Sequence, residues 1–154
     1  MTALTVTRDT PDTPDVRALL VRHFELMRAT SPEESCHVMD PGTLLDRGVT
    51  LFAAREGDTV LGVGALAVIG PGHGELKSMH TAAEARGRGV ARAVLGALVG
   101  AAQEQGLTRL SLETGSMPEF AAARALYETE GFDLCPPFGD YVEDPLSVFM
   151  TRTL

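Results

Sequence analysis

A single α/β domain is the fold class this sequence predicts, and three observations carry it. The 154 residues, 44% hydrophobic and 22% charged, suffice for one core and not for two, so the domain is read as 1–154. Runs of β character bounded by glycine, proline and aspartate alternate with segments whose apolar residues recur at helical spacing. At the centre a strand-like run, Glu75 to Thr81, enters a glycine-broken turn, Arg86-Gly87-Arg88-Gly89, and then a long apolar helix.

In chain order, Ala3 to Arg8 alternates apolar and β-branched residues and predicts an edge strand. Thr13 as cap and Pro14 at the first helical position start a helix, in which Val16, Leu19, Leu20, Phe24 and Met27 form a buried stripe to about Ala29. Ser31-Pro32-Glu33-Glu34 is a second cap signal that should open a short helix or turn carrying Ser35, Cys36 and His37. Asp40 to Arg47 predicts a further helical piece. Val49 to Arg55 and Thr59 to Ile69 predict a hairpin joined by Glu56-Gly57-Asp58. Within it, Gly62-Val63-Gly64-Ala65-Leu66-Ala67 matches a dinucleotide-binding pattern, but such a site needs strand, turn and helix in that order. Because no helix follows, these glycines are read as close-packing positions in a strand, and a nucleotide-binding oxidoreductase is set aside.

The central helix, expected from about Arg88 to Gln105, is alanine-rich and apolar on nearly every side, and Gly106 ends it. Arg109 to Thr114 predicts a strand. Pro118 to Glu130 predicts a helix with Phe120, Ala123, Leu126 and Tyr127 on one face, closed by Gly131. Phe132 to Cys135 and Ser147 to Thr153 predict the last strands, separated by a proline-rich loop through Tyr141.

The net charge of −8, from thirteen Lys and Arg against twenty-one Asp and Glu, argues against a general nucleic-acid partner and suits a cationic one. Two cysteines, Cys36 and Cys135, are too few for a zinc cage or a disulfide framework, and no metal is expected. The N-terminus lacks a signal pattern, and the longest apolar run, Val60 to Ile69, is too short for a bilayer. The sequence therefore predicts a cytoplasmic protein without a membrane partner.

Against that acidic background, Arg86, Arg88 and Arg92 stand together at the start of the central helix. Glycines let the backbone curl closely around a ligand, and a helix leaves its first N–H groups unpaired at the positive end of its dipole. The 86–92 segment is thus a phosphate-binding candidate. Its Arg86, Gly89 and Ala91 resemble the Arg/Gln-x-x-Gly-x-Gly/Ala signature of the GCN5-related N-acetyltransferase (GNAT) family. A second signature, Leu-Tyr-x-x-x-Gly-Phe, follows downstream as Leu126-Tyr127-Glu128-Thr129-Glu130-Gly131-Phe132.

The resemblance implies a mixed, mostly antiparallel sheet flanked by helices on both faces. It also implies acetyl-coenzyme A as co-substrate, with its pyrophosphate on Arg86, Gly87, Arg88, Gly89, Val90, Ala91 and Arg92. Backbone N–H groups at Met79, His80 and Thr81 would polarise the acetyl carbonyl, and Tyr127 would protonate the departing thiolate. Deprotonating an amine calls for a base, and Glu113 and Glu75 are the two candidates. Strand alternation would set Glu75, Lys77, Met79 and Thr81 on one face. His37 and Ser116 are candidate acceptor contacts. The sequence departs from the family at Phe120, where members often carry an asparagine that touches the pantetheine arm. The implied reaction is direct acetyl transfer to a primary amine of a small molecule or peptide, and a homodimer is among the family's common states. A non-catalytic acyl-coenzyme A sensor or complex subunit is the alternative.

Overall fold

The computed structural model describes residues 3–32 and 36–154. Seven strands form one sheet in the order β1-β2-β3-β4-β5-β7-β6. In chain order the elements are β1 (Leu4–Asp9), α1 (Pro14–Thr30), α2 (Pro41–Asp46), β2 (Thr50–Glu56), β3 (Thr59–Gly70), β4 (His73–Thr81), α3 (Val90–Glu104), β5 (Arg109–Gly115), α4 (Ala121–Thr129), β6 (Asp133–Leu134) and β7 (Ser147–Thr153). Every neighbouring pair is antiparallel except β4 and β5, which are joined by the α3 crossover.

Helices cover both faces, and the glycines of β3 show how. A Cβ added at Gly64 would lie 2.8 Å from side-chain carbons of both Val94 and Leu98, and one at Gly62 would lie 2.5 Å from Val90. The dinucleotide-like pattern is therefore the seat on which α3 rests, as the strand reading expects. Opposite, α1 presents Val16, Leu19, Leu20 and His23 to the sheet. The groove beside α4 is lined by Val148 and Met150 of β7, and Met150 pairs with Leu112, so α4 shares the α3 face.

Polar contacts fix the entry of α1. Arg55 of β2 donates to Asp9 of β1 at 2.9 Å and pairs with Asp15 in the first turn of α1. Thr13 stands at the cap position but makes no capping bond; its hydroxyl donates to Asp9 instead. Asp40 does cap α2, accepting from the Thr43 N–H at 2.7 Å.

Several boundaries differ from expectation. The central helix begins at Val90, because Gly87 and Gly89 both hold positive φ and keep Arg88 in the turn. The segment expected as one helix from Pro118 divides into a 3-10 turn, Pro118–Phe120, and α4. The strand expected over Phe132 to Cys135 shrinks to two residues. The helical turn expected from Ser31-Pro32-Glu33-Glu34 falls partly outside the described residues, and Cys36 to Asp40 is irregular.

Candidate active site

The site begins where the sheet opens. β4 and β5 pair only through His73↔Arg109, Gly74↔Leu110 and Glu75↔Ser111, and beyond Glu75 and Ser111 the ladder stops. The β5-facing edge of β4 from Lys77 to Thr81 thus carries backbone groups that the sheet does not pair, while its other edge remains bonded to β3.

A bulge at Ser78 decides which side chains face which helix. Ser78 is the one described non-glycine residue with positive φ, at 55°, and the β3 register skips across it from Ala65↔Lys77 to Val63↔His80. The alternation expected through Thr81 therefore breaks. Glu75, Lys77 and His80 share the α1 face, whereas Met79 and Thr81 turn to the α3 face. Met79 Sδ lies 2.5 Å from a Cβ built on Gly64, and Thr81 is the cross-strand partner of Gly62.

On the α3 face, beside the opening, the N-terminus of α3 presents groups suited to an anion. Gly89 is its N-cap in the left-handed region at φ 79°, and the first intrahelical bond of the helix runs from Ala93 N to Gly89 O. The N–H groups of Val90, Ala91 and Arg92 are left over, at the positive end of the helix dipole. A Cβ at Gly87 or Gly89 would meet nothing within 4 Å, so the turn has open space in front of it. Arg88 is ion-paired with Glu56, and Arg92 with Glu130 at 2.9 Å; both arginine side chains remain substantially exposed. These donors, cations and open space fit a pyrophosphate, and the β4/β5 gap gives an extended arm a course between the two faces.

Tyr127 is buried on α4, its ring edge-on to Phe132 with centroids 5.8 Å apart. Burial pushes its phenol above the usual range, so it holds its proton at neutral pH. Phe120, where the family often has asparagine, packs over Gly115 so closely that an added Cβ there would fall 2.2 Å from its ring. A hydrophobic plug at the end of β5 therefore replaces the amide.

The α1 face carries a buried polar cluster. Glu75 and Lys77 form an ion pair at 3.2 Å, with side chains only 6% and 8% exposed. Tyr141, from the loop between β6 and β7, accepts from Lys77 Nζ at 2.8 Å and donates to Glu75 Oε2 at 2.5 Å. Its ring is wedged among His37, Phe138 and Phe149, with centroids 5.0–5.4 Å away. Glu113 joins this face, since its neighbour two residues back, Ser111, pairs with Glu75. Among the described residues Glu113 makes no ion pair of its own. Burial raises its carboxyl to about 7; Lys77 opposes the rise, and Glu75 and Asp144 add to it.

Two histidines border the opening. His23 of α1 and His80 of β4 approach Nδ1 to Nδ1 at 3.1 Å, a distance that needs one ring to donate and the other to accept. Both are held neutral: burial lowers His23 to about 3, with His80 adding to the effect, and burial lowers His80 to about 4, with Arg22 and Arg86 adding to it.

The structure thus brings together Glu75, Glu113 and His37 on one side of the gap, and Arg86 to Arg92 on the other. Ser116 is engaged elsewhere: its hydroxyl donates to the Pro145 carbonyl at 2.7 Å and its N–H to Leu146 O, tying the β5 end to the loop before β7. Tyr141 and the His23–His80 pair escape sequence reasoning. Tyr141 had one faint signal, as one of only two tyrosines in the chain.

A sheet split between its parallel strands, with unpaired helix N–H groups on one face and a buried acidic cluster on the other, suits an acyltransferase that uses a phosphate-bearing acyl carrier. The chain belongs to the GNAT acetyltransferase family, whose model, described as Acetyltransferase (GNAT) family, matches residues 14–132. Its relatives include the Uncharacterized N-acetyltransferase YsnE of Bacillus subtilis, 47% identical over 90% of this chain and 92% of that one. They also include the Uncharacterized N-acetyltransferase YedL of Escherichia coli, 43% identical over 97% and 94%, and the IAA acetyltransferase of Azospirillum brasilense, 36% identical over the whole of both chains. Among solved structures, a putative acyl-CoA N-acyltransferase from Klebsiella pneumoniae superposes with a TM-score of 0.79 at 30% identity, covering 98% of this chain and 97% of that one. A PaiA N-acetyltransferase from Thermoplasma acidophilum in complex with coenzyme A shares the fold at a TM-score of 0.77 and 13% identity, covering 99% of both chains. This chain is accordingly an acetyl-coenzyme A-dependent acyltransferase.

Proposed function

We propose that the enzyme transfers acetyl directly to a primary amine of a small molecule or peptide, with Glu113 taking the amine's proton. The observation that carries this reading is the Glu113 carboxyl, raised to about 7 and free of any ion pair among the described residues, on the face opposite the anion-binding turn. An ammonium of pKa about 10 cannot attack until it loses a proton, and a base that titrates near neutral pH both exists as the anion and holds the proton it gains. Glu75 is less suited, because its charge is already committed to Lys77 and Tyr141.

Acetyl-coenzyme A, when bound, supplies an acetyl group activated as a thioester. The N–H groups of Val90 to Arg92, with Arg86 and Arg88, hold its phosphates; engagement of Arg88 displaces Glu56 as that arginine's partner. The unpaired β4 edge at Met79, His80 and Thr81 offers N–H donors to the carbonyl oxygen, where negative charge develops. Glu113 takes the ammonium's proton. As the carbon–nitrogen bond forms and the carbon–sulfur bond breaks, the nitrogen sheds its second proton to solvent. Tyr127, kept protonated by burial, gives one to the leaving sulfur and regains it from solvent.

The test is the pH dependence of thiol release with an amine acceptor. Wild type should show an acid limb near pH 7 in kcat/KM, and Glu113→Gln should lose about 10²–10⁴-fold with that limb abolished. Retention of both the rate and the limb in Glu113→Gln would remove Glu113 from the mechanism.

A further inference from the structure

The α1 face holds acids and a cation in close quarters, and the cation is held from two sides. The Lys77 ammonium is buried, 3.2 Å from Glu75 and 2.8 Å from the Tyr141 hydroxyl, and it lies 5.5 Å from the centre of the Tyr141 ring. A lysine has three rotatable donors and ordinarily wanders. Here its position is fixed from two sides, by a carboxylate on its own strand and by a tyrosine delivered from the β6–β7 loop. That tyrosine is in turn clamped by His37, Phe138 and Phe149, and Phe149 is the cross-strand partner of Glu113. The loop, the strand and the residue pair across the gap are therefore one packed unit.

We propose that Lys77, pinned by Tyr141, is a positioning residue that sets the charge Glu113 carries at neutral pH. The inference rests on the reading of Glu113 as base. Glu113 lies on the same face as Glu75 and Lys77 of β4, and its cross-strand partner Phe149 packs against Tyr141. The charged and titratable groups that act on it are Lys77, Glu75, Asp144 and Tyr141. Of these, Lys77 is the cation that opposes burial, while Glu75 and Asp144 reinforce it. Removing Lys77 and removing Glu75 must then move Glu113 in opposite directions, which loss of packing alone would not do. Tyr141 makes the arrangement stable, since its hydroxyl both accepts from the cation and donates to the anion and so holds them at fixed separation.

The experiment needs no acceptor. The side-chain carboxyl carbons of ¹³C-glutamate-labelled protein are followed by NMR against pH, and the Glu113 signal is the one missing in Glu113→Gln. Wild type should titrate near 7. Lys77→Met should move that midpoint up by about one pH unit and Glu75→Gln should move it down, the low end of what one neighbouring charge does. The double variant should return it toward wild type, and Lys77→Arg, which keeps the charge if Lys77→Met does not fold, should hold it. A midpoint unmoved by Lys77→Met, or displaced in the same direction by both single variants, overturns the inference. The two readings fail separately. Opposite shifts with undiminished thiol release in Glu113→Gln would sink the base and leave the tuning, whereas an inactive Glu113→Gln with no shifts would do the reverse.

Discussion

Two glycine-to-alanine substitutions, thirty-two residues apart, should act with opposite sign. At Gly64 of β3 the added Cβ would stand 2.5 Å from Met79 Sδ, 2.8 Å from Leu98 Cδ1 and 2.8 Å from Val94 Cγ1. Carbon atoms rest at about 3.5–4.0 Å, so three side chains must each retreat by much of an ångström. Leu98 and Val94 are 0% and 1% exposed and have nowhere to go. Overpacking of this kind costs about 1–3 kcal/mol, and the stiffer unfolded chain returns about 0.4–1 kcal/mol, leaving about 1–2 kcal/mol of destabilisation. For a domain of this size that is a fall in melting temperature of about 3–6 °C.

At Gly96, on the exposed side of α3, a Cβ would meet nothing within 4 Å, and alanine in a helix interior is favoured over glycine by about 0.5–1 kcal/mol. Gly96→Ala should therefore raise the midpoint. Because the Gly64 methyl also presses on Met79 beside the Ser78 bulge, Gly64→Ala should weaken acetyl-coenzyme A binding as well, while Gly96→Ala should not. Differential scanning calorimetry of both variants decides the matter. A neutral or stabilised Gly64→Ala would mean that α3 does not rest on β3 as described.

Three further outcomes are expected. Arg88→Glu should reduce acetyl-coenzyme A affinity at least about tenfold by calorimetry, while its exposed ion pair with Glu56 leaves stability within about 1 kcal/mol of wild type. Tyr127→Phe should slow turnover and leave cofactor affinity nearly unchanged; equal kcat in the two proteins would exclude the phenol as proton donor. The third concerns pH. His23 and His80 titrate at about 3 and 4 when folded against 6.5 when free, so the unfolded chain binds protons that the folded chain refuses. Stability from this pair is complete above about pH 6.5 and is lost as pH falls toward 4. Thermal unfolding from pH 7 to 4.5 should show that slope, and His23→Gln should flatten it.

Much of this molecule was legible because local chemistry and global fold agree. Proline and glycine punctuation located α1, α3 and α4, and period-two runs located the hairpin of β2 and β3. The missing helix after Gly64 correctly turned a cofactor pattern into a packing surface. The glycine turn before α3 was readable for a physical reason too, since its positive φ follows from Gly87 and Gly89 and its three arginines lie within seven residues.

What stayed hidden depended on contacts between distant segments. Nothing near Ser78 announces a bulge: the residue is neither glycine nor asparagine, and only pairing with β3 places it at positive φ. One extra residue there exchanged Met79 and Thr81 for His80 on the α1 face. Tyr141 was similarly invisible, because its partners Glu75 and Lys77 are more than sixty residues away in sequence. The partners that commit Glu75 and leave Glu113 without an ion pair among the described residues are likewise a property of the assembled sheet.

The account stands most directly on thiol release from acetyl-coenzyme A, measured with wild type and Glu113→Gln across primary amines, amino acids and N-terminal peptides. It predicts release that depends on an added amine, rises through an acid limb near pH 7 and collapses in Glu113→Gln. Cofactor binding without amine-dependent release, or release indifferent to Glu113, would contradict it.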